Sequence, residues 1–486
     1  MPERLEQPAG LTLPAWMPEL ARLELSCHRA CTRTIPAPEQ LDKLALNPSL
    51  DLIQSPYRNL LPLLTYARRQ DMERVAEGIE LIMVWCDPAS GALRFEVALP
   101  DHLLAIKLLA EGISPEEAAH EAGVTVAVID AMLWEAVRMG IVLAPPSRLK
   151  RAGDRQAAEV FTLQWHLTQT CDLHCKHCYD RSPRPDFPFE RALSLMQELR
   201  EFCWQRLVRP QVTLTGGNPL MYPRFYELYR AAADNGLMIA ILGNAVERSA
   251  IERLLEIQRP VYYQVSLEGL EEHNDRIRGP GNYRRTVEFL RMLTELGVPN
   301  LVMLTLTKAN LDQVIPLARE LEGITGALTF NRLTPFGEGA RLAAATRDEY
   351  QAFLRSYVAA LPDHPVLALK DNLLNTIFEE EGREPFGGCA GFGCGAAFNF
   401  LAVLCDGEVH ACRKFPSPLG NLLQQSLCEI YDSELAARYR TGSTACSDCS
   451  LQAVCGGCLA VTAGYGLDPL TARDPYCTKE PTPKRT

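Results

Sequence analysis

The chain of 486 residues has no apolar run long enough to span a bilayer, since its most apolar windows, such as Ile79–Cys86, are far too short. The first 30 residues hold several prolines and scattered charges, which is unlike a signal peptide. A basic excess is also lacking, because 49 Lys and Arg face 60 Asp and Glu, a net charge of −11. That sign argues against a nucleic acid or an anionic membrane as partner. We therefore expect a cytoplasmic protein.

Cysteine, in contrast, is abundant. The chain has 17 cysteines, and ten of them fall between positions 389 and 477. The cytosol keeps thiols reduced, and a chain of this length needs no disulfides for stability. Clustered thiolates in a reducing compartment indicate zinc or iron–sulfur ligation instead.

The central region alternates strand-like and helix-like segments. This alternation predicts a parallel α/β sheet covered by helices. Six units are too few for a closed eight-stranded barrel, so we predict a partial (β/α)6 barrel over residues 158–345, with its site at the C-terminal ends of the strands. The predicted strands lie near 160–168, 212–215, 238–242, 261–267, 301–307 and 327–333, and the helices near 189–206, 223–235, 247–257, 282–296 and 310–322.

Residues 76–145 predict a small winged-helix-like α+β domain. Two strands, 79–86 and 92–98, precede three helices, and the second helix opens at Ser114 with a capping pattern. Residues 101–143 hold seven acidic residues against two basic ones, the wrong sign for binding DNA phosphates. Residues 1–75 show mixed helical patterning without an assignable role.

Three cysteines directly after the first central strand predict the catalytic centre. Cys171, Cys175 and Cys178 have the spacing C-x3-C-x2-C. Three thiolates can hold three irons of a [4Fe–4S] cluster and leave the fourth iron open for chemistry. A zinc knuckle is the alternative, with His174 or His177 as fourth ligand.

From residue 387 the regular patterning fades, and cysteines, glycines and turns predominate. After bridging helices in 346–384, residues 385–480 predict a domain organised by metal. A zinc ribbon would explain only four of its cysteines, those at 446, 449, 455 and 458. The other six cysteines of the chain are interpreted as packing residues: Cys27, Cys31, Cys86, Cys203, Cys405 and Cys428. The eight candidate ligands are Cys389, Cys394, Cys412, Cys446, Cys449, Cys455, Cys458 and Cys477.

In order and spacing, the central motifs resemble those of the radical S-adenosylmethionine (SAM) superfamily. The resemblance implies that the open iron binds SAM and that the strand ends contact it. The turn Gly216-Gly217-Asn218-Pro219 is similar to the Gly-Gly-Glu-Pro turn that binds the methionine amino group, with Asn in place of Glu. An amide still offers an oxygen to an ammonium but lacks the charge. The other implied contacts are Asn244, Ser266, Glu268 and Arg278.

The C-terminal cysteines resemble the SPASM domain, except that two residues rather than three separate Cys455 from Cys458. This resemblance implies two further [4Fe–4S] clusters, three in all. By position it assigns Cys389, Cys394, Cys412 and Cys458 to the nearer auxiliary cluster, and Cys446, Cys449, Cys455 and Cys477 to the farther one.

Taken together, the chain resembles radical SAM/SPASM maturases of ribosomally made peptides, in particular the thio(seleno)oxazole (selenobiotic peptide) maturases. This implies a precursor peptide as substrate and a flavodoxin- or ferredoxin-type electron donor. Residues 76–145 resemble the PqqD-like element to which a leader peptide adds a strand. Two alternatives remain: a radical SAM/SPASM oxidoreductase acting on a small molecule or haem-pathway intermediate, and a non-catalytic metal-binding regulatory protein.

Overall fold

The chain folds into two units, Met1–Pro146 and Ser147–Thr486. The computed structural model describes residues 13–65, 68–151 and 156–479. Within these ranges no helix has the length and apolar character needed to cross a membrane. The overall class is mixed α/β.

The first unit is built on a three-stranded antiparallel sheet of order β2-β3-β4 and a short pair, β1 with β5. The sequence analysis predicted β3 and β4 but not β2. In β2, exposed residues alternate with inward-facing ones over the whole strand, but the buried Ser55 is polar and Pro56 is unfavourable within a strand. The pairing register with β3 also shifts between Ser55 and Tyr57. The strands are β1 (Ala45–Leu46), β2 (Asp51–Arg58), β3 (Ala76–Cys86), β4 (Leu93–Val97) and β5 (Val142–Leu143).

The three predicted helices of this unit are confirmed as α4, α5 and α6. Ser114 caps α5: its Oγ accepts from the Glu117 amide at 3.2 Å, and the Glu117 carboxylate accepts from the Ser114 amide at 2.9 Å. The helices are α1 (Met17–Thr32), α2 (Leu61–Thr65), α3 (Arg69–Met72), α4 (Pro100–Glu111), α5 (Pro115–Ala122) and α6 (Val126–Met139).

The second unit contains a nine-stranded sheet. Its strands follow the order β13-β12-β11-β10-β9-β8-β14-β15-β16, in which β8 to β13 are parallel neighbours in chain order. The short strands β6 (Lys150–Arg151) and β7 (Gln156–Ala157) pair separately. The strands of the sheet are β8 (Val160–Thr168), β9 (Arg209–Gly216), β10 (Met238–Leu242), β11 (Tyr262–Ser266), β12 (Asn300–Leu306), β13 (Ala327–Arg332), β14 (Phe400–Val403), β15 (Glu408–His410) and β16 (Pro418–Asn421).

Helices follow each of the parallel strands and cover one face of the sheet. On β8, for example, Leu163 and Trp165 pack into the hydrophobic core, while Gln164 faces the interior of the curved sheet, here called the lumen. The helices of the second unit are α7 (Phe189–Arg206), α8 (Phe225–Asp234), α9 (Arg248–Leu255), α10 (Glu271–Arg278), α11 (Asn282–Glu295), α12 (Val314–Leu321), α13 (Arg347–Ala360), α14 (Leu374–Glu380), α15 (Leu427–Tyr431), α16 (Glu434–Thr441) and α17 (Leu459–Gly464).

The C-terminal segment extends the same sheet. Strand β14 pairs in parallel with the first half of β8, where Phe400 lies opposite Thr162, and β15 and β16 follow as antiparallel neighbours. Cys394 precedes β14, and Cys412 follows β15. Because β14 and β15 run in opposite directions, the start of β14 and the end of β15 lie at the same end of the sheet. Both cysteines therefore lie at that end, beside the N-terminal half of β8.

A buried ion-pair network ties the parallel sheet to the C-terminal segment. The Arg332 guanidinium, at the end of β13, donates to the Asp371 carboxylate at 2.8 Å and to both oxygens of Asp474 at 2.8 and 2.7 Å. All three side chains are less than a tenth exposed. Removing the cation would leave two buried carboxylates without compensation.

We expect Arg332→Met to lower the free energy of unfolding by about 3–5 kcal/mol. Arg248→Met removes an exposed pair with Glu295 and should cost at most about 1 kcal/mol. Urea unfolding followed by circular dichroism measures both values. Equal shifts of the two midpoints would show that the network does not link the two parts of the unit.

Candidate functional site

The loop after β8 brings Cys171, Cys175 and Cys178 together. Each of Cys175 and Cys178 interacts electrostatically with the other two thiols, and burial raises the pKa of both. All three line a cavity of about 350 Å³ at the C-terminal ends of the parallel strands. The three sequence-predicted thiols therefore face one space.

Two glycines allow the end of β9 to approach this loop closely. A Cβ on Gly216, whose φ is +135°, would lie 2.4 Å from the Thr168 carbonyl oxygen, and one on Gly217 would lie 2.2 Å from that of Thr170. The Gly217 and Asn218 amides donate to these same two carbonyls, each at 2.8 Å. The glycine pair thus fixes the Asn218 turn directly against the cysteine loop.

The carboxylate beside the first cysteine accepts hydrogen bonds from two residues that are predicted to contact SAM. Asp172 Oδ1 accepts from Asn218 Nδ2 at 3.1 Å and from Asn244 Nδ2 at 2.7 Å. Asn244 Nδ2 also lies 3.5 Å from Cys171 Sγ. Asp172 was not among the predicted site residues, although its position directly after Cys171 was a usable signal.

Glu268 connects the cysteine loop to three other elements. Its Oε1 accepts from Arg278 at 2.7 and 2.9 Å and lies 3.0 Å from His177 Nε2, and its Oε2 accepts from the Thr305 amide at 2.8 Å. Its backbone carbonyl accepts from Asn310 at 2.9 Å. The side chain is 1% exposed. The contact with SAM implied for Glu268 stays a prediction, since both carboxylate oxygens already have these partners.

Some of the residues predicted to contact SAM line the cavity, and others are buried behind its wall. Asn244, Ser266 and Arg278 line the cavity. Asn218 and Pro219 are buried, and Asn218 Oδ1 has no hydrogen-bond partner in the described residues. An orphaned buried acceptor next to the cysteine loop fits a ligand that carries a donor, such as an ammonium group.

The eight C-terminal cysteines form two groups. In the first, Cys412 interacts with Cys389 and Cys458, and Cys394 interacts with Cys389, Cys412 and Cys458. Burial raises the pKa of Cys394 and Cys412 to about 11 and that of Cys458 to about 12. The cysteines of the first group line a second cavity: Cys389, Cys394, Cys412 and Cys458.

In the second group, Cys477 interacts with Cys446 and Cys455, and Cys446 also interacts with Cys449. All four thiols of this group line a third, small cavity. Between the two groups lies Asn372, which donates to the carbonyls of Cys455 and Gly457 and accepts from the Cys389 amide. The sequence analysis did not detect this buried asparagine, because nothing in the local pattern distinguishes it from a surface residue.

The zinc alternatives receive no support from the histidines. His177 contacts Glu268, and His174 Nδ1 lies 3.0 Å from Arg181. Among the residues with described positions, no three His, Cys, Asp or Glu side chains converge on a single ion. In a cubane each iron takes its own thiolate, so thiols of a cluster site need not converge in that way.

The six other cysteines divide between the two units. Cys203 and Cys405 are buried, and Cys428 packs against the hydrophobic core of the second unit. In the first unit, Cys31 interacts electrostatically with Cys27 and with Cys86. The proximity of Cys86 to Cys31, across α1 and β3, was not predictable from spacing.

The first two cavities share part of their lining along the lumen, including Gln264, Asn331 and Lys414. Many side chains that line the lumen end in an amide or a hydroxyl, and apolar ones such as Leu242 and Met303 lie among them. The ammonium groups of Lys370 and Lys414 have no carboxylate partner within the described ranges. The uncharged polar residues of the lumen wall are Thr162, Gln164, Gln211, Thr213, Thr215, Tyr262, Gln264, Ser266, Thr305 and Asn331.

Comparison with known families agrees with this geometry. Residues 165–321 match the Radical SAM superfamily, and residues 394–458 match the SPASM iron-sulfur cluster-binding domain. The chain carries a radical SAM domain followed by a SPASM domain. It is therefore an enzyme, and the two domains imply SAM and iron–sulfur clusters as its cofactors.

The proteins to which this chain is similar differ in their named activities. The chain is 26% identical to the AdoMet-dependent heme synthase of Methanosarcina barkeri, an alignment that covers 66% of this chain and 97% of that protein. It is 27% identical to the mycofactocin maturase MftC of Mycolicibacterium smegmatis, covering 69% and 87%. Streptococcus suis SuiB bound to its precursor peptide SuiA has a similar fold, with a TM-score of 0.54, 15% identity and coverage of 82% and 96%.

The Glu268 contacts predict a pH-dependent contribution to stability. Burial alone would raise the pKa of Glu268, but His177 and Arg278 lower it from 4.5 to about 2. A depressed pKa stabilises the fold above the unfolded value and loses that effect as pH falls toward the folded value. We expect Glu268→Gln to cost about 3 kcal/mol at pH 7. By about pH 3 the difference from the natural chain should fall below half.

Urea unfolding of the cluster-free protein at several pH values measures this difference. A cost that stays constant from pH 7 to pH 3 would mean that the charge of Glu268 does not contribute.

Proposed function

We propose that the chain reductively cleaves SAM and uses the resulting radical to modify a ribosomally made precursor peptide. The observation that carries the peptide assignment is the polar lumen. Its amide and hydroxyl side chains match the hydrogen-bonding groups of a peptide backbone. An apolar macrocycle would bury these polar groups without partners.

We propose three [4Fe–4S] clusters, one for each group of cysteines. The loop thiols Cys171, Cys175 and Cys178 would hold the SAM-binding cluster, and each C-terminal group of four thiols would ligate one auxiliary cluster fully. When bound, SAM and the first cluster supply a 5′-deoxyadenosyl radical that takes hydrogen from carbon. A low-potential flavodoxin or ferredoxin is the proposed electron donor.

The protein's own part in this reaction is to orient the ligand and to fix the cysteine loop. Arg278 faces the cavity while Glu268 accepts from its Nε and one Nη, and the other Nη lies 3.8 Å from Cys175 Sγ. We propose that this second Nη binds the SAM carboxylate beside the cysteine loop. Ser266 lines the same wall and presents a hydroxyl. Lumen residues behind them position the peptide segment that reacts.

We further propose that residues 76–145 form a PqqD-like winged-helix domain that binds the leader peptide, with the partial (β/α)6 barrel at 158–345, bridging helices at 346–384 and the SPASM domain at 385–480. The outer edge of β4 supports this role, because it pairs with no other strand in the described part of the sheet. Val97 is 41% exposed and nearby Leu99 56%, which gives an added strand apolar contacts. The thio(seleno)oxazole type of product chemistry also remains a proposal.

Removing the loop thiols tests SAM cleavage. We expect Cys171→Ala, Cys175→Ala and Cys178→Ala each to reduce 5′-deoxyadenosine formation to background, because the SAM-binding cluster loses a ligand. The measurement is chromatography of anaerobic reactions with dithionite. Cys428→Ala, which alters a core-packing cysteine, should retain product formation. Substantial 5′-deoxyadenosine from all three loop variants would refute the assignment.

A proline in the edge strand tests leader binding. The Ala98 amide donates to the Leu81 carbonyl of β3 at 2.8 Å. Because successive amides of a strand point to opposite sides, the Val97 amide points away from β3, toward the open edge of β4. Val97→Pro removes that outward donor and leaves the bonds between β3 and β4 intact. We expect the precursor peptide to bind at least about tenfold more weakly, because the strand loses a hydrogen-bond donor and the proline ring blocks the approaching backbone. Val97→Thr keeps the donor and should bind normally.

The substrate for this test is a short peptide encoded by a neighbouring reading frame, with affinity measured by fluorescence anisotropy. Equal affinity of the proline and threonine variants would contradict strand addition at β4.

A second candidate, an oxidoreductase acting on a small carboxylate or haem-pathway intermediate, is favoured by one observation. Lys370, Arg413 and Lys414 line the cavity of the first C-terminal cysteine group and could bind carboxylates. This candidate predicts turnover without any leader-bearing peptide, whereas the peptide assignment predicts none.

A further inference from the structure

The SAM site has lost a negative charge at the position where the family turn carries Glu. Asn218 is 3% exposed, and its amide cannot ion-pair with an ammonium group. A carboxylate nevertheless lies within hydrogen-bond distance of it, on the cysteine loop. That carboxylate is Asp172, which has no counterpart role in the motif that the turn resembles.

Asp172 dictates how two amide side chains are oriented. A carboxylate only accepts hydrogen bonds, so an amide that contacts it must present its NH2 group. The Nδ2 atoms of both Asn218 and Asn244 lie on Asp172 Oδ1, at 3.1 and 2.7 Å. Their carbonyl oxygens are therefore turned away from Asp172 and are free to accept from another donor. Asn218 Oδ1 is buried and meets no donor in the described residues.

The charge of Asp172 is only partly offset. The Arg285 guanidinium lies 3.4 Å from Asp172 Oδ2, but this arginine side chain is 50% exposed, so water screens the pair. Asp172 itself is 29% exposed. The two neutral amides and one carboxylate thus form a subsite with net negative charge beside Cys171, whose Sγ lies 3.5 Å from Asn244 Nδ2.

We propose that Asp172 is a positioning residue for SAM: it turns Asn218 and Asn244 so that their oxygens accept from the amino group of SAM, and it supplies the negative charge that Asn218 lacks. The inference rests on the proposed use of SAM and adds a residue to that site. It explains how an amide can serve at position 218, where the family turn has a carboxylate. The negative charge is carried instead by Asp172, which is hydrogen-bonded to Asn218 from the cysteine loop.

Binding measurements on the reconstituted holoenzyme test the proposal. The probes are S-adenosylhomocysteine, which carries the amino acid part, and 5′-methylthioadenosine, which lacks it. We expect Asp172→Ala to weaken S-adenosylhomocysteine binding about tenfold or more, as for loss of a charged hydrogen bond. Binding of 5′-methylthioadenosine should stay within about twofold, since it makes no contact with an amino-group subsite. Equilibrium dialysis gives both constants.

An exchange of the two side chains provides the sharper test. Asp172→Asn and Asn218→Glu each change the subsite charge by one, in opposite directions, and each should weaken or distort amino-group binding. The double variant Asp172→Asn/Asn218→Glu restores one carboxylate and one amide in mutual contact, so affinity should recover to within about threefold of the natural chain. Arg285→Ala, which removes the offsetting cation, should keep or increase the affinity.

Three outcomes would overturn the proposal: unchanged S-adenosylhomocysteine affinity in Asp172→Ala, equal loss for both probes, or a double variant no better than the weaker single variant. Iron content and the visible absorption of each variant show that the clusters are intact. Formation of 5′-deoxyadenosine by the natural chain tests SAM use separately, so failure of this inference is distinguishable from failure of the proposed function.

Discussion

The site depends on the buried carboxylate of Glu268. A single side chain at the end of β11 receives Arg278 and His177 on one oxygen and the β12 backbone on the other. His177 belongs to the cysteine loop, so this carboxylate anchors a loop that has little apolar surface of its own. A buried charge of this kind is stable only when fully paired, which makes the arrangement specific: displacing any partner carries a large cost. These charged contacts act together with backbone hydrogen bonds of the loop, such as that from the Lys176 amide to the Ile277 carbonyl at 3.0 Å.

Much of the fold was predictable, because the physical signals are local. Alternation of residues on β8 and the capping box at Ser114 appear directly in the sequence and recur in the structure. Strand β2 escaped prediction because one of its two buried residues is the polar Ser55 and because Pro56 is unfavourable within a strand. Within the site, cysteine spacing predicted which thiols belong to the first loop. The roles of Asp172 and Asn372 depend on contacts between residues 46 and 83 positions apart, which no local pattern encodes.

The polar lumen separates two kinds of cysteine site. At the C-terminal ends of the strands, three thiols line a cavity together with Asn244 and Arg278. Beside the N-terminal half of β8, four thiols gather with unpaired cations, Lys370 and Lys414, around them. A cluster with four thiolates is anionic, and nearby cations favour its reduced form. Under the proposed function, the same sheet would carry one open cluster for chemistry and one fully ligated cluster that accepts an electron.

Strand β8 also gives the distance between the cysteine loop and the first C-terminal group of cysteines. Its first half lies beside Cys394 through β14, while its far end leads into Cys171. From Thr162 to Thr168 is six residues, or about 20 Å at roughly 3.3 Å per residue. A compact metabolite is too short to touch both ends at once, whereas about six residues of extended polypeptide would bridge them. The span of the lumen thus agrees with the peptide substrate that we propose.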